Sequence, residues 1–431
     1  MREQHRFSAR IALAFLVLLA SSGALFAYSV LTHEEIVDLA WTSEIRPLLL
    51  HRFPGLTEDQ ITEAHAYAYG GSVIQDLGYY PFGSREFSDL VHYVRSGDFV
   101  VELIRQSRDA NEYAFALGAL SHYAADIDGH PAVNEAVALG YPKLRAKYGN
   151  SVRYAQDMTA HLKTEFGFDT LQVAKNRYAS EQYHAFIGFK VAQPLLERTF
   201  PVVYGLQLKD VLAHEDLAIG SYRFSISRLI PQMTKVALRT HKKDLMRETP
   251  NFAKRKFLYR LSRSEYEREW GKTYVKPGFG TRVLSAILRY IPKIGPFKGM
   301  GFNNPTAKTE DLYIKSINAT VDRYTALLNE VRAGKLVLPD CDLDDGKPTK
   351  AGEYTLADTA YGKLLASLTA QKFNGVTPEL RDSILAFYSD PPLPIDTKTA
   401  PAQWQVILAD LSQLKDAQLA PVNGNPVPLA H

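Results

Sequence analysis

Apolar and polar positions recur with a helical period along most of the chain, and no segment keeps the strict alternation that a half-buried strand shows. Thr57 is a typical helix cap, and a helix is predicted from there to the Gly70–Gly71 pair. Pro131 is expected to end the alanine-rich helix that begins near Asn111, or to lie in its last turn. Further helices are predicted over 84–98, 151–167, 172–198 and 206–247. The pattern therefore predicts an all-α fold.

The first 27 residues have the pattern of an export signal. Three arginines precede an apolar run from Ile11 to Ala20, and small residues follow up to Ala27. Because this run is too short for a comfortable membrane span, a cleaved signal peptide is favoured over an uncleaved anchor. Cleavage after Ala27 would make Tyr28 the first residue and would place the protein in the periplasm or outside the cell.

Positive charge is concentrated in residues 235–298, which contain 17 Lys or Arg against 5 Asp or Glu, although the whole chain carries only +3. One interpretation is a solvated helical face without a partner. The other is contact with an anionic membrane surface, because the segment also contains an apolar stripe. On that interpretation the membrane-contacting residues would be Arg282, Arg289, Lys293 and Lys298.

The stretch "SHYAADIDGH" places His122, Asp126 and His130 at successive intervals of four residues. On a helix these side chains project from one side, and the surrounding alanines and glycines would let other helices approach closely. His161 and Glu165 have the same spacing. The chain has one cysteine, which excludes a disulfide framework and a cysteine-rich zinc site. A metal would therefore be held by His, Asp and Glu, which suit zinc.

Five stretches give the chain a specific resemblance. They are "YSVLTHEEI", "HAYAYGGSVIQDLGYYP", "FSDLVHYVRSG", "SHYAADIDGH" and "HLKTE", between Tyr28 and Glu165. This region resembles the zinc-dependent phospholipase C family and is especially similar to the N-terminal domain of glycosylphosphatidylinositol-specific phospholipase D. The resemblance implies an all-helical catalytic domain with two or three zinc ions.

The resemblance also implies that nine residues of this chain are zinc ligands. The first zinc would be held by Asp76, His92, His122 and Asp126. The second would be held by His130, His161 and Glu165. The third would use the terminal amine and carbonyl of Tyr28, together with His33 and the bridging Asp126.

The implied reaction is hydrolysis of a phospholipid phosphodiester by metal-activated water, with Asp76 accepting the proton of that water. Two features depart from the family: Tyr28 replaces the usual Trp, and three residues rather than five separate Asp126 from His130. The shorter spacing is that of the phospholipase D-like variant, so C-type and D-type cleavage both stay open. Two alternatives are a zinc-dependent single-strand nuclease and a zinc-fold binding protein without activity. We expect no nucleic-acid partner, and we expect the protein to be a monomer.

These patterns divide the chain into four parts. Residues 1–27 are the signal peptide, and 28–250 form the catalytic domain. Residues 251–335 are a basic helical extension, and 336–431 form a C-terminal helical region without a predicted role. Within the last part, Asp340, Asp342 and Asp344 resemble the start of a calcium loop. The match fails because Gly346 is one position late and Ala351 stands where the closing glutamate belongs, which predicts a turn.

Overall fold

The computed structural model describes residues 30–175, 188–230, 302–389 and 401–419, together with four isolated positions between 233 and 247. The described part is all-α, as predicted, and its only β-type pairing is an isolated bridge between Asp342 and Lys347. None of the helices described is long and apolar enough to cross a membrane. The predicted signal peptide, Tyr28 and the four predicted membrane-contacting residues lie outside the described residues.

Fifteen α-helices make up the described fold. The first eight are α1 (Val30–Ala40), α2 (Arg46–Arg52), α3 (Glu58–Ser72), α4 (Arg85–Tyr93), α5 (Ser96–Gln106), α6 (Ala110–Gly140), α7 (Pro142–Tyr148) and α8 (Met158–Ala174). The remaining seven are α9 (Gln193–Tyr204), α10 (Leu208–Val211), α11 (Glu215–Phe224), α12 (Ala307–Arg332), α13 (Thr355–Ala370), α14 (Pro378–Phe387) and α15 (Pro401–Asp416). Short 3₁₀ turns cover Ile74–Tyr79 and Tyr154–Gln156, and π turns cover Trp41–Ile45 and Ser225–Leu229.

Helix α6 lies at the centre of the molecule, with α1, α3, α5, α8 and α12 packed around it. Most of its residues are buried, which agrees with its alanine-rich composition. The main hydrophobic core extends from Val30 in α1 to Leu414 in α15. The described C-terminal helices therefore share one core with the helices that carry the candidate site.

Two glycines allow α3 and α6 to come into backbone contact. A Cβ atom at Gly71 would lie 1.9 Å from the Phe115 carbonyl oxygen, and one at Gly118 would lie 2.1 Å from the Ala68 carbonyl oxygen. The Thr57 cap is confirmed, because its side chain accepts a hydrogen bond from the Gln60 amide. The predicted end of α3 at the glycine pair is confirmed to within one residue, because the helix ends at Ser72. Gly71 packs against α6, and Gly70 packs against the Lys190 backbone.

The prediction that α6 ends at or near Pro131 is wrong, because the helix continues to Gly140. Proline at this position cannot donate a backbone hydrogen bond to Ile127. Burial of Val133, Ala136 and Val137 against neighbouring helices keeps the last three turns helical despite that loss. His130 consequently lies within a continuous helix rather than at a frayed end.

Candidate metal centre

Five elements bring eight histidines and carboxylates together at the centre of the molecule. Helix α6 contributes three residues in successive turns, α8 contributes two, and α1, α4 and the first 3₁₀ turn contribute one each. Every one of these side chains is buried. They are His33, Asp76, His92, His122, Asp126, His130, His161 and Glu165.

Three groups within this cluster have ligand atoms close enough to share a metal ion. In each group, one donor atom from every member lies within 4.8 Å of the others. The groups are His33–His122–Asp126, Asp76–His92–His122 and His130–His161–Glu165. All eight described positions of the predicted ligand set therefore lie in one cluster, and the third group coincides with the ligands implied for the second zinc.

Asp126 lies at the junction of the groups. Its Oδ2 atom is 3.1 Å from His122 Nε2, 3.4 Å from His92 Nε2 and 3.6 Å from His130 Nε2. Its Oδ1 atom is 3.7 Å from His33 Nε2. One carboxylate thus faces four imidazoles, which is the arrangement expected of a residue that bridges metal ions.

Hydrogen bonds on the outer side of the cluster orient three of the imidazoles. His122 Nδ1 donates to the Ser72 carbonyl at 2.9 Å, and His92 Nδ1 donates to the Ser88 carbonyl at 2.8 Å. His161 Nε2 donates to the Asn134 side-chain oxygen at 2.8 Å. The opposite ring nitrogen of each therefore faces the cluster and is the nitrogen available to a metal.

Burial disfavours charge on the carboxylates of the cluster. It raises the pKa of Asp76 to about 7, and both oxygens of this side chain are buried without a hydrogen-bond donor among the described residues. Burial also acts to raise the pKa of Asp126, but His122 and His130 outweigh it and hold that pKa well below the ordinary value. A buried carboxylate without a donor is costly unless a cation compensates it. The observation fits a metal ion beside Asp76.

Burial lowers the pKa of every histidine for which a shift is resolved in the cluster, and contact with Asp126 reverses this for two of them. For His92 and His130, burial lowers the pKa, but Asp126 outweighs it and raises these values to about 9 and about 10. The pKa of His161 falls to about 3, first through burial and then through its neighbour His130. Without a metal, two imidazoles of the cluster would therefore hold protons at neutral pH. A divalent cation would replace those protons.

The donor set suits zinc, which takes imidazole nitrogen and carboxylate oxygen in four-coordinate sites. Magnesium and calcium prefer oxygen ligands and are poorly matched to five imidazoles. The residues present therefore fit the zinc ions implied by the resemblance.

Asp128, which could serve as an outer partner of a ligand histidine, has another role. It accepts two hydrogen bonds from the Arg323 guanidinium, at 2.8 and 2.9 Å, and so joins α6 to α12. Asn134 was missed from the sequence, although it continues the four-residue register His122–Asp126–His130 by one more turn. That register is the signal that could have identified it.

Residues 32–213 match the family model described as zinc dependent phospholipase C. All eight described residues of the cluster fall within the matched range. The match supports the zinc-dependent phospholipase C family and suggests a phosphodiester hydrolase. No curated protein and no solved structure matched the chain.

Proposed function

We propose that this protein is an exported zinc-dependent phosphodiesterase that hydrolyses phospholipid head groups. The observation that carries the proposal is the buried cluster of five histidines and three carboxylates, joined through Asp126 and lying within the matched residues. A cluster of this density is costly to bury without cations. Two or three zinc ions would supply them.

Eight described residues would hold the zinc ions in the groups given above, and Tyr28 is proposed as a ninth through its terminal amine and carbonyl. Zinc, when bound, lowers the pKa of a coordinated water to about 7 and stabilises negative charge on phosphoryl oxygens. The ring nitrogens that face the cluster would bind zinc as neutral imidazoles, and the outer hydrogen bonds of His92, His122 and His161 hold those rings in place. Asp126 would bridge, because no other described carboxylate faces four imidazoles.

Asp76 is proposed to hold the proton that leaves the attacking water. Its carboxylate is buried beside the imidazoles that would hold the zinc ions, with Oδ1 3.5 Å from His92 Nε2, which would place it next to a zinc-bound water. The leaving alkoxide regains a proton from solvent, so one water is consumed for each phosphodiester cleaved. Ser and Cys nucleophiles are not needed for this chemistry.

The likeness to the N-terminal domain of glycosylphosphatidylinositol-specific phospholipase D, the signal peptide and the lipid-contacting role of residues 235–298 belong to the same proposal. The short spacing between Asp126 and His130 supports the likeness to the phospholipase D-like domain. The charged and apolar pattern of the first 27 residues supports the signal peptide. The 17 basic residues against 5 acidic ones in residues 235–298 support contact with lipid.

The test is product identification. Zinc-loaded protein lacking residues 1–27 is incubated with mixed phospholipid vesicles and, separately, with single-stranded DNA. Diacylglycerol with a phosphorylated head group would indicate C-type cleavage, and phosphatidic acid with a free head group would indicate D-type cleavage. Cleavage of the DNA alone would replace the proposal with a nuclease. No cleavage of either substrate by the zinc-loaded protein would refute it.

A further inference from the structure

The loop between α12 and α13 reaches the candidate metal centre from outside the matched residues. It closes through the Asp342–Lys347 bridge, in which the Asp342 amide donates to the Lys347 carbonyl at 2.8 Å. Asp342 and Asp344 are both buried. The predicted turn is therefore present, but two of its aspartates point into the protein rather than into solvent.

Three contacts connect this loop to residues of the cluster. The Leu343 amide donates to the backbone carbonyl of His92 at 3.2 Å. Asn134 Nδ2 donates to the Asp344 carbonyl at 3.2 Å, while the Asn134 side-chain oxygen accepts from His161. The Asp344 carboxylate itself faces His130, with Oδ1 3.8 Å from Nδ1.

The Asp344 carboxylate is held in place from its other side. Its Oδ2 atom accepts hydrogen bonds from the Tyr93 hydroxyl, at 3.2 Å, and from the Tyr354 hydroxyl. Its backbone amide donates to Asp342 Oδ1 at 2.9 Å. Asp342 in turn pairs with Arg153. A buried carboxylate with this many partners has a fixed orientation.

Gly346 fits the loop against α6. Its φ of +69° is a conformation that other residues rarely adopt, and a Cβ atom there would lie 2.9 Å from Ile127 Cγ2. Ile127 is also the residue whose carbonyl loses its helical donor at Pro131. The loop therefore packs against α6 about one turn before His130, where one backbone hydrogen bond of the helix is missing.

We propose that Asp344 is a positioning residue that orients His130 within the His130–His161–Glu165 group. His130 Nε2 faces Asp126 and Nδ1 faces Asp344, so the ring lies between two carboxylates. His92, His122 and His161 instead donate their outer nitrogen to a neutral oxygen. At 3.8 Å the Asp344–His130 contact is an ion-pair contact longer than a hydrogen bond. A negative charge at this position attracts the Nδ1 proton, favours one orientation of the ring and makes Nε2 a better donor to a metal. The C-terminal region thereby supplies a part of the second site. This inference rests on the proposed zinc function.

The test is a titration of metal-free protein with Co²⁺, whose d–d absorption reports the geometry of each site. The Co²⁺ equivalent that Glu165→Gln weakens is assigned to the second site, because Glu165 is a proposed ligand there. Asp344→Asn should weaken that same equivalent about 10–100-fold and change its spectrum, while the other equivalents are unchanged. Tyr354→Phe keeps the carboxylate but removes one of its two hydroxyl donors, and should weaken the same equivalent by a smaller factor. It serves as the second variant if Asp344→Asn folds poorly.

Asp345→Asn is the matched control, because it alters the same loop at a side chain that contacts Lys347 and Arg153 rather than Asp344 or His130. Lys347→Ala is the surface control. If Asp345→Asn weakens the second equivalent as much as Asp344→Asn does, the loop acts through its fold and the positioning role is refuted. If the wild type binds two or more Co²⁺ and Asp344→Asn leaves affinity and spectrum unchanged, the positioning role alone is refuted. If the wild-type protein binds no Co²⁺, the proposed zinc function is itself refuted.

Discussion

Replacing Gly118 with alanine should disturb both the fold and the metal centre. The new Cβ atom would lie 2.1 Å from the Ala68 carbonyl oxygen and 2.9 Å from the Ser72 amide nitrogen, whereas ordinary van der Waals contact begins near 3.4 Å. Both opposing atoms belong to the backbone of α3, so no side chain can rotate to make room. The two helices must move apart by about 1 Å, which costs about 1–3 kcal/mol as overpacking.

Gly140→Ala is the control on the same helix, because nothing lies within 4 Å of a Cβ atom there. Alanine is favoured over glycine by about 1 kcal/mol in a helix interior. Gly118→Ala gains this term in full, whereas Gly140→Ala gains at most part of it because Gly140 is the last residue of α6. The difference between their free energies of unfolding is therefore a lower bound on the cost of the contact between α3 and α6. We expect Gly118→Ala to be less stable than Gly140→Ala by about 1–3 kcal/mol in denaturant titrations, toward the upper end of that range.

The same change should weaken zinc binding. His122 is oriented by donating to the Ser72 carbonyl at 2.9 Å, and Ser72 lies at the point where α3 would be displaced. Loss of such an outer hydrogen bond commonly costs about 10–100-fold in metal affinity. If Gly118→Ala and Gly140→Ala have equal stability and equal zinc affinity, the inferred link between helix packing and the site is wrong.

Three further predictions follow from charge, the N-terminus and the basic segment. Zinc loading at pH 7.5 should release at least two protons, because zinc requires neutral imidazole and the pKa values of His92 and His130 are raised to about 9 and about 10. The terminal amine and a zinc-bound water would add to this number. Zinc affinity should therefore increase as pH rises from 7 toward 9, and calorimetry in buffers of different ionisation enthalpy measures the proton count. One residue added before Tyr28 should reduce zinc occupancy and turnover, since the terminal amine would leave its proposed position. Reversing Arg282, Arg289, Lys293 and Lys298 to Glu should weaken binding to anionic vesicles at low salt, because each basic residue contributes about 1 kcal/mol, and should leave hydrolysis of a short-chain soluble lipid nearly unchanged.

Each of these has an opposing outcome. Heats of zinc binding that do not depend on the buffer would show that His92 and His130 are not protonated in the metal-free protein. Full zinc occupancy and activity in the extended protein would remove Tyr28 from the ligand set. Vesicle binding that is indifferent to both the four reversals and salt would make residues 235–298 an ordinary solvated segment.

The all-α class and the central part of the metal cluster could be predicted from the sequence because both depend on local geometry. The spacing of His122, Asp126 and His130 places them on one side of a helix wherever that helix lies. Grouping His33, Asp76 and His92 with them required the family resemblance, since these residues come from separate elements.

Other features could not be predicted because they depend on packing between distant segments. Gly70 and Gly71 have the pattern of a helix end, and α3 ends at Ser72, but the close approach of α6 to Gly71 and of the Lys190 backbone to Gly70 could not be predicted. Pro131 remains within α6 because its neighbours are buried. Asp344 is more than 200 residues beyond His130 in sequence, and its approach to that ring follows only from the packed loop.

The most direct test of the zinc cluster is the metal content of Asp126→Asn, measured by mass spectrometry after zinc loading and removal of free metal. Asparagine keeps the size of the side chain but removes the charge that faces four imidazoles. His51→Ala, an exposed histidine on α2, is the control. We expect two or three zinc ions in the wild type and the control, and a loss of more than one ion together with phospholipid hydrolysis in Asp126→Asn. Less than one zinc per wild-type chain, or equal zinc content in all three proteins, would contradict a metal cluster bridged by Asp126.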